Sequence, residues 1–144
     1  MMKRGTIITA ISYFFILLFL YTALSKIMAF SVTLFDMRRN PLLSEYPLFW
    51  TIAVPAVEII ICALLLFPQK RRGGLWATMA LMISFTGYVG VILASNYDLP
   101  CTCGGIFREL SWRQHLWVNI GLVLLATVAL LLDSRKVTQK YIYE

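Results

Sequence analysis

Two stretches of this chain contain no charged residue over the length that a helix needs to cross a lipid bilayer. They cover residues 5–25 and 73–97. A helix of about 20 apolar residues spans the hydrocarbon core of a membrane, because each residue adds about 1.5 Å along the axis. Two further apolar runs of similar length follow residues 47 and 111. The chain is therefore predicted to be an all-α, multi-pass membrane protein.

The composition agrees with this prediction. Hydrophobic residues make up 60% of the chain and charged residues 14%, and the mean hydropathy is +0.77, which is outside the range of soluble domains. A length of 144 residues accommodates four spans of about 20 residues and no added soluble domain. We predict a single membrane domain over residues 1–144, a four-helix bundle with spans at residues 6–25, 48–67, 74–97 and 112–132.

A short amphipathic segment separates the first two predicted spans. Its apolar side chains recur at helical spacing: Ile27, Phe30, Leu34 and Met37. Polar residues, among them Asp36 and Arg38, fall elsewhere around the helix. This pattern predicts a short interfacial helix.

The distribution of basic residues predicts the orientation in the membrane. The net charge of +6 comes from 13 basic and 7 acidic residues, and the basic residues lie between the apolar runs. Eight of them lie on the side of the two termini and the 68–74 loop, and five on the side of the 98–110 connection. By the positive-inside tendency, the termini are cytoplasmic and the 98–110 connection is periplasmic in a bacterial inner membrane. We do not expect nucleic-acid binding, because the basic residues form no single soluble face.

A closely spaced cysteine pair lies in the 98–110 connection. Cys101 and Cys103 follow Pro100 and precede Gly104 and Gly105. A proline and two glycines permit the tight turn that a bridge between such close cysteines requires. A bridge this tight is expected to be strained, and strain favours a labile disulfide that exchanges with partners.

Two other roles for the pair stay open. A static staple is one, although a bridge across so short a loop adds little chain-entropy stabilisation. A soft-metal site is the other, but the loop has no neighbouring His or Met, so no metal is assigned. The third cysteine, Cys62, is expected to be a small buried hydrophobic residue inside the second span.

Three residues at the start of the fourth span share a helix face. Trp112, His115 and Asn119 are three and four residues apart. His115 is a candidate for proton transfer during thiol exchange, and nearby arginines and the helix N-terminus favour a cysteine thiolate. The alternative is an interfacial histidine hydrogen-bonded to Asn119 or to the backbone.

Glu58 is an ionisable residue inside the second predicted span. Such a side chain is costly in the membrane, and it usually faces the bundle interior and has a partner. Lys26 is the nearest cation in the other spans, and Tyr88, Thr86 or Asn119 could supply hydrogen bonds. Glu58 either relays protons or contacts a quinone headgroup, or it joins helices as a structural group.

Several of these residues together resemble the DoxX/MauE-like family of membrane proteins, in the branch with a Cys-x-Cys-Gly-Gly loop, over residues 6–132. The matching residues follow in chain order: Ser25-Lys26, Pro55, Glu58, Phe85-Thr86-Gly87-Tyr88, Pro100-Cys101-Thr102-Cys103-Gly104-Gly105, Trp112, His115 and Asn119. The resemblance implies a four-helix bundle associated with periplasmic redox maturation, as proposed for the branch that matures methylamine dehydrogenase. The chain departs from membrane thiol oxidases that carry a Cys-x-x-Cys pair and further shuttle cysteines.

The leading hypothesis is a thiol-disulfide oxidoreductase of the membrane, in which Cys101 and Cys103 exchange with a periplasmic thiol/disulfide protein. In that hypothesis His115 acts with the pair, and Lys26, Glu58, Gly104, Gly105, Trp112 and Asn119 support it. Electrons could continue to a quinone, but the sequence has no quinone-specific signature and no cofactor is assigned. The alternative is a non-catalytic maturation factor that binds another membrane subunit and uses the cysteines as a clamp. A small-solute transporter is disfavoured, because the chain has no repeated half.

Overall fold

Five helices form the part of the chain that the computed structural model describes, which is residues 4–96 and 109–142, with side chains up to residue 134. The helices are α1 (Arg4–Met28), α2 (Phe30–Arg39), α3 (Pro47–Leu66), α4 (Arg71–Ala94) and α5 (Trp112–Ile142). Four of them are long and apolar enough to cross a membrane, and α2 is the short helix between α1 and α3. The prediction of an all-α bundle with four spans and a short intervening helix is confirmed.

The spanning helices differ from the predicted spans mainly at their ends. Helix α4 begins at Arg71, before the predicted span. A helix can begin outside the hydrocarbon core, where charged residues in its first turn carry no cost of burial in lipid. It ends at Ala94, two residues before Asn96 adopts a left-handed φ of 52°, a conformation that ends many helices. Helix α5 continues to Ile142, since hydropathy marks where a span ends and not where a helix ends.

Contacts at the two ends of the bundle fix the direction of the helices. At one end, Arg71 Nη1 donates to Thr9 Oγ1 at 3.1 Å, so α4 starts beside the start of α1. At the other end, the ring of Tyr88 lies 6.3 Å from that of Trp112, and Tyr88 accepts a hydrogen bond from Asn40. The end of α4, the start of α5 and the end of α2 therefore lie together.

The interior of the bundle divides into two halves. The apolar half is packed with fully buried hydrophobic side chains, of which Ile8, Phe15, Leu65, Leu75 and Ala129 are representative. The polar half contains buried hydrogen-bonding side chains instead: Thr22, Lys26, Asn40, Glu58, His115 and Asn119. Within this frame α1 packs mainly against α3, and α4 mainly against α5.

Helix α2 presents several of its apolar side chains outward, whereas Met37 is buried. Phe30, Val32 and Phe35 are exposed, whereas Thr33 and Asp36 are buried. Asp36, which the sequence pattern placed away from the apolar face of this helix, therefore faces the bundle interior. In a membrane the outer environment of a bundle is apolar, so polar groups gain by facing inward.

Candidate functional site

The polar half of the bundle is organised around an ion pair between two spanning helices. Lys26 Nζ on α1 lies 2.9 Å from Glu58 Oε1 and 3.2 Å from Oε2 on α3. Both side chains are almost completely buried, with exposed fractions of 4% and 1%. Two opposite charges with this geometry compensate part of the desolvation cost that each would otherwise carry.

Glu58 has a second partner on α1. Thr22 Oγ1 donates to Glu58 Oε1 at 3.1 Å, and Lys26 Nζ makes a long contact of 3.5 Å with the carbonyl oxygen of Thr22. Thr22 precedes Lys26 by one helical turn, so both side chains point to the same face of α1. That spacing is the signal by which the sequence could have revealed Thr22, which the sequence analysis missed.

Helix α5 closes the site from the opposite side. His115 and Asn119 are both buried and line a small cavity together with Thr22, Lys26 and Glu58. The cavity has a volume of about 30 Å³, larger than the roughly 10–15 Å³ that one water molecule requires. Among the described residues, the side-chain nitrogen of Asn119 has no hydrogen-bond partner. A polar amide therefore lines a cavity bordered by an ion pair.

The N-terminus of α5 is fixed by its own first residues. Ser111 N donates to Gln114 Oε1 at 3.0 Å, and Gln114 N donates to Ser111 Oγ at 3.4 Å. This reciprocal capping box orients the first turns of α5, which carry Trp112 and His115. The predicted common face of Trp112, His115 and Asn119 is present: the last two are buried, and Trp112 is half-buried against Tyr88.

The other proposed partners of Glu58 have different neighbours. Thr86 Oγ1 donates to the carbonyl oxygen of Met82 in its own helix, at 2.7 Å. Tyr88 accepts from Asn40 Nδ2, and Asn40 Oδ1 accepts from the backbone N–H of Leu42 at 3.0 Å. Asn40 is a second residue that the sequence analysis missed, and it ties the end of α2 to α4.

The three cysteines fall in different parts of the chain. Cys62 is buried between α3 and α1, with its Sγ 3.5 Å from the carbonyl oxygen of Ile16, as expected for a small interior residue. Cys101 and Cys103, with Gly104 and Gly105, lie outside the described residues. In the described part of the chain, no group of three or more His, Cys, Asp or Glu side chains could hold a metal ion.

The comparisons with known proteins identify a family. A family model described as methylamine utilisation protein MauE matches residues 4–132. That range contains the first three spans, all but the last two residues of the fourth, and every residue of the polar half. No curated protein and no solved structure matches the chain.

Proposed function

The chain belongs to the MauE family of methylamine utilisation proteins, and we propose that it exchanges disulfides with a periplasmic partner protein through Cys101 and Cys103. It is a multi-pass membrane protein with four candidate spans. The proposed exchange serves the maturation of the partner.

One observation carries this proposal. Helices α4 and α5, which the cysteine segment connects in the chain, end and begin at the end of the bundle where His115, Lys26 and Glu58 are buried together. Thiol-disulfide exchange needs groups that accept and donate protons beside a reactive thiol. Buried titratable side chains therefore lie toward the end of the bundle where α4 ends and α5 begins.

The exchange would proceed through a mixed disulfide. A thiolate of one cysteine attacks a sulfur of the partner's disulfide, and the partner's other sulfur leaves as a thiolate that takes up a proton. The second cysteine then attacks the mixed disulfide, which forms the Cys101–Cys103 bond and releases the partner's second thiol. Two electrons pass to the partner, and the two protons lost by the pair equal the two gained. The reverse sequence oxidises the partner, and exchange with a further thiol/disulfide protein restores the pair.

His115 is the proposed proton acceptor and donor for these steps. It lies four residues after Ser111 at the start of α5, close in sequence to the cysteine segment. Cys62 supports the assignment of exchange to the other two cysteines, because it is buried in the spanning part of the bundle and inaccessible to a protein partner.

The proposed topology places both termini in the cytoplasm and the cysteine segment in the periplasm. The eight-to-five distribution of basic residues supports this orientation. A membrane-impermeant maleimide should then label Cys101 and Cys103 in intact cells after reduction. Labelling only after the membrane is permeabilised would contradict the topology.

The exchange itself is tested by cysteine replacement in a host that grows on methylamine. The double variant Cys101→Ser with Cys103→Ser should abolish partner maturation, and the single variant that retains the attacking cysteine should accumulate a mixed disulfide that reductant cleaves. Cys62→Ser is the matched control and should retain maturation. Full activity of the double serine variant would instead support the non-catalytic maturation factor, whose assembly should respond to changes on the bundle surface.

A further inference from the structure

A second, larger pocket lies on the other side of Lys26, among α2, α3 and α4. Its volume is about 400 Å³, within the range of about 300–1,000 Å³ typical of small-molecule sites. Lys26 and Phe85 border both this pocket and the small polar cavity. Binding of a ligand here can be tested without the cysteine residues, and therefore independently of the proposed thiol exchange.

The position of the lining residues shows from where a ligand would enter. Lys26, Met37 and Val89 are buried and form the inner part of the pocket. Val57 on α3 and Ser84 on α4 are exposed on the outer surface of the bundle. Both belong to membrane-spanning helices, so the pocket opens between α3 and α4 toward the hydrocarbon of the bilayer. A ligand would therefore come from the membrane and be lipophilic.

The charge at the inner end of the pocket selects a neutral headgroup. The ammonium of Lys26 is already neutralised by Glu58 at 2.9 Å, so an anionic carboxylate or phosphate would bring an uncompensated charge into a buried site. A neutral carbonyl oxygen carries no such cost. It could accept from the Lys26 N–H that makes only the long, 3.5 Å contact with Thr22.

The shape and chemistry of the walls favour a planar ring. Three aromatic side chains line the pocket: Trp50, Phe85 and Tyr88. Aromatic rings pack well against other flat rings in offset or edge arrangements. The remaining lining is mainly aliphatic and suits an attached hydrocarbon chain.

We infer that this pocket binds a neutral, planar, carbonyl-bearing lipophile of the quinone class, with the ring between the aromatic side chains and a carbonyl oxygen toward Lys26. The ligand enters the pocket from the bilayer, between α3 and α4.

Binding is tested with decylubiquinone and the full-length protein in lipid nanodiscs. Quenching of tryptophan fluorescence should saturate, since Trp50 lines the pocket. Ala53→Phe fills the pocket and should weaken binding at least about tenfold, and Val57→Phe, at the mouth, should weaken it in the same direction. Ala56→Phe is the matched control, because Ala56 is exposed and does not line the pocket; its affinity should stay within about twofold. Thermal unfolding of each variant verifies that it is folded.

Competition distinguishes the quinone from other lipophiles. Excess palmitate, which has an anionic head, and excess decanol, which has no ring, should leave decylubiquinone bound. Displacement by either at similar concentration would identify an acyl-chain site and overturn the inference. Absence of saturable quenching, or equal affinities in the Ala53→Phe and Ala56→Phe proteins, would also overturn it.

Discussion

The two halves of the bundle bury polar groups in different ways. In the apolar half, Ser12 and Thr78 are buried, and each hydroxyl donates at 2.8 Å to a carbonyl four residues earlier in its own helix. In the polar half, Lys26, Thr22 and Asn40 reach side chains on other helices. A hydroxyl satisfied by its own helix leaves the neighbouring helices free to pack by shape alone. Side chains that bond between helices make each helix depend on the presence of its partner.

This difference between the two halves shows where buried polar groups reduce the stability of the bundle. Close packing of Phe15, Leu65 and Leu75 requires no polar group and tolerates no void. In the polar half a lysine and a glutamate are desolvated, and the Asn119 amide nitrogen is buried without a partner in the described part of the chain. Groups kept at such a cost inside a membrane are usually functional.

The largest expected effect comes from breaking the ion pair on one side only. Lys26→Met leaves Glu58 buried at 1% exposure without its cation. We expect a loss of about 3–5 kcal/mol in the free energy of unfolding, measured by equilibrium unfolding in mixed micelles.

The double variant Lys26→Met with Glu58→Leu is the control for this prediction. Removing both charges also removes the unpaired carboxylate, so most of the stability should return. A double variant as unstable as the single one would show that packing around these side chains, and not charge compensation, holds α1 to α3.

The next effect tests close packing at the other end of the molecule. A methyl group at Gly74 would lie 2.9 Å from Leu65 Cδ2 and 3.0 Å from the backbone nitrogen of Leu65. Because backbone atoms cannot turn away, Gly74→Ala should destabilise the protein by about 1–3 kcal/mol. Gly73→Ala is the matched control, with no atom within 4 Å of the added carbon. Its unfolding temperature should be unchanged or slightly raised, and equal losses in both variants would refute the clash.

A smaller effect of opposite sign is expected at Asn119. Its amide nitrogen has no partner among the described residues, so Asn119→Leu should raise the free energy of unfolding by about 1 kcal/mol. Thr22→Val should lower it by about 1 kcal/mol, because the Thr22 hydroxyl donates to Glu58 at 3.1 Å. Thermal unfolding in the same detergent compares the two. A clear loss of stability in Asn119→Leu would mean that the amide has a structural partner.

The sequence predicted the parts of this structure that depend on one helix at a time. Long apolar runs located the spans, and the spacing of Trp112, His115 and Asn119 placed these three residues on one face. The ionisable Glu58 identified the polar half, since a carboxylate inside a span needs a partner, and Lys26 was the nearest cation. These inferences need only the period of a helix and the cost of a charge in hydrocarbon.

Features that depend on how helices are arranged around one another could not be predicted in this way. Asp36 faces the bundle and Phe35 faces outward, the reverse of the pattern in a helix that covers a soluble core. The partnership of Asn40 with Tyr88 joins residues 48 positions apart, and no local pattern marks it. The roles of Cys101, Cys103, Gly104 and Gly105 remain predictions from the sequence.

The smallest expected effect concerns the second ion pair, at the end of the apolar half. Arg72 Nε lies 3.8 Å from Asp133 Oδ2, and the Arg72 side chain is 53% exposed. At that distance and exposure, water and salt screen the attraction, so Arg72→Ala and Asp133→Ala should each cost about 0.2–1 kcal/mol. A double-mutant cycle should give a coupling within the same range, falling further as salt is raised. A coupling comparable to that of Lys26 and Glu58 would mean that ion pairing between helices stabilises both ends alike. Burial would then not be what separates the two halves of the bundle.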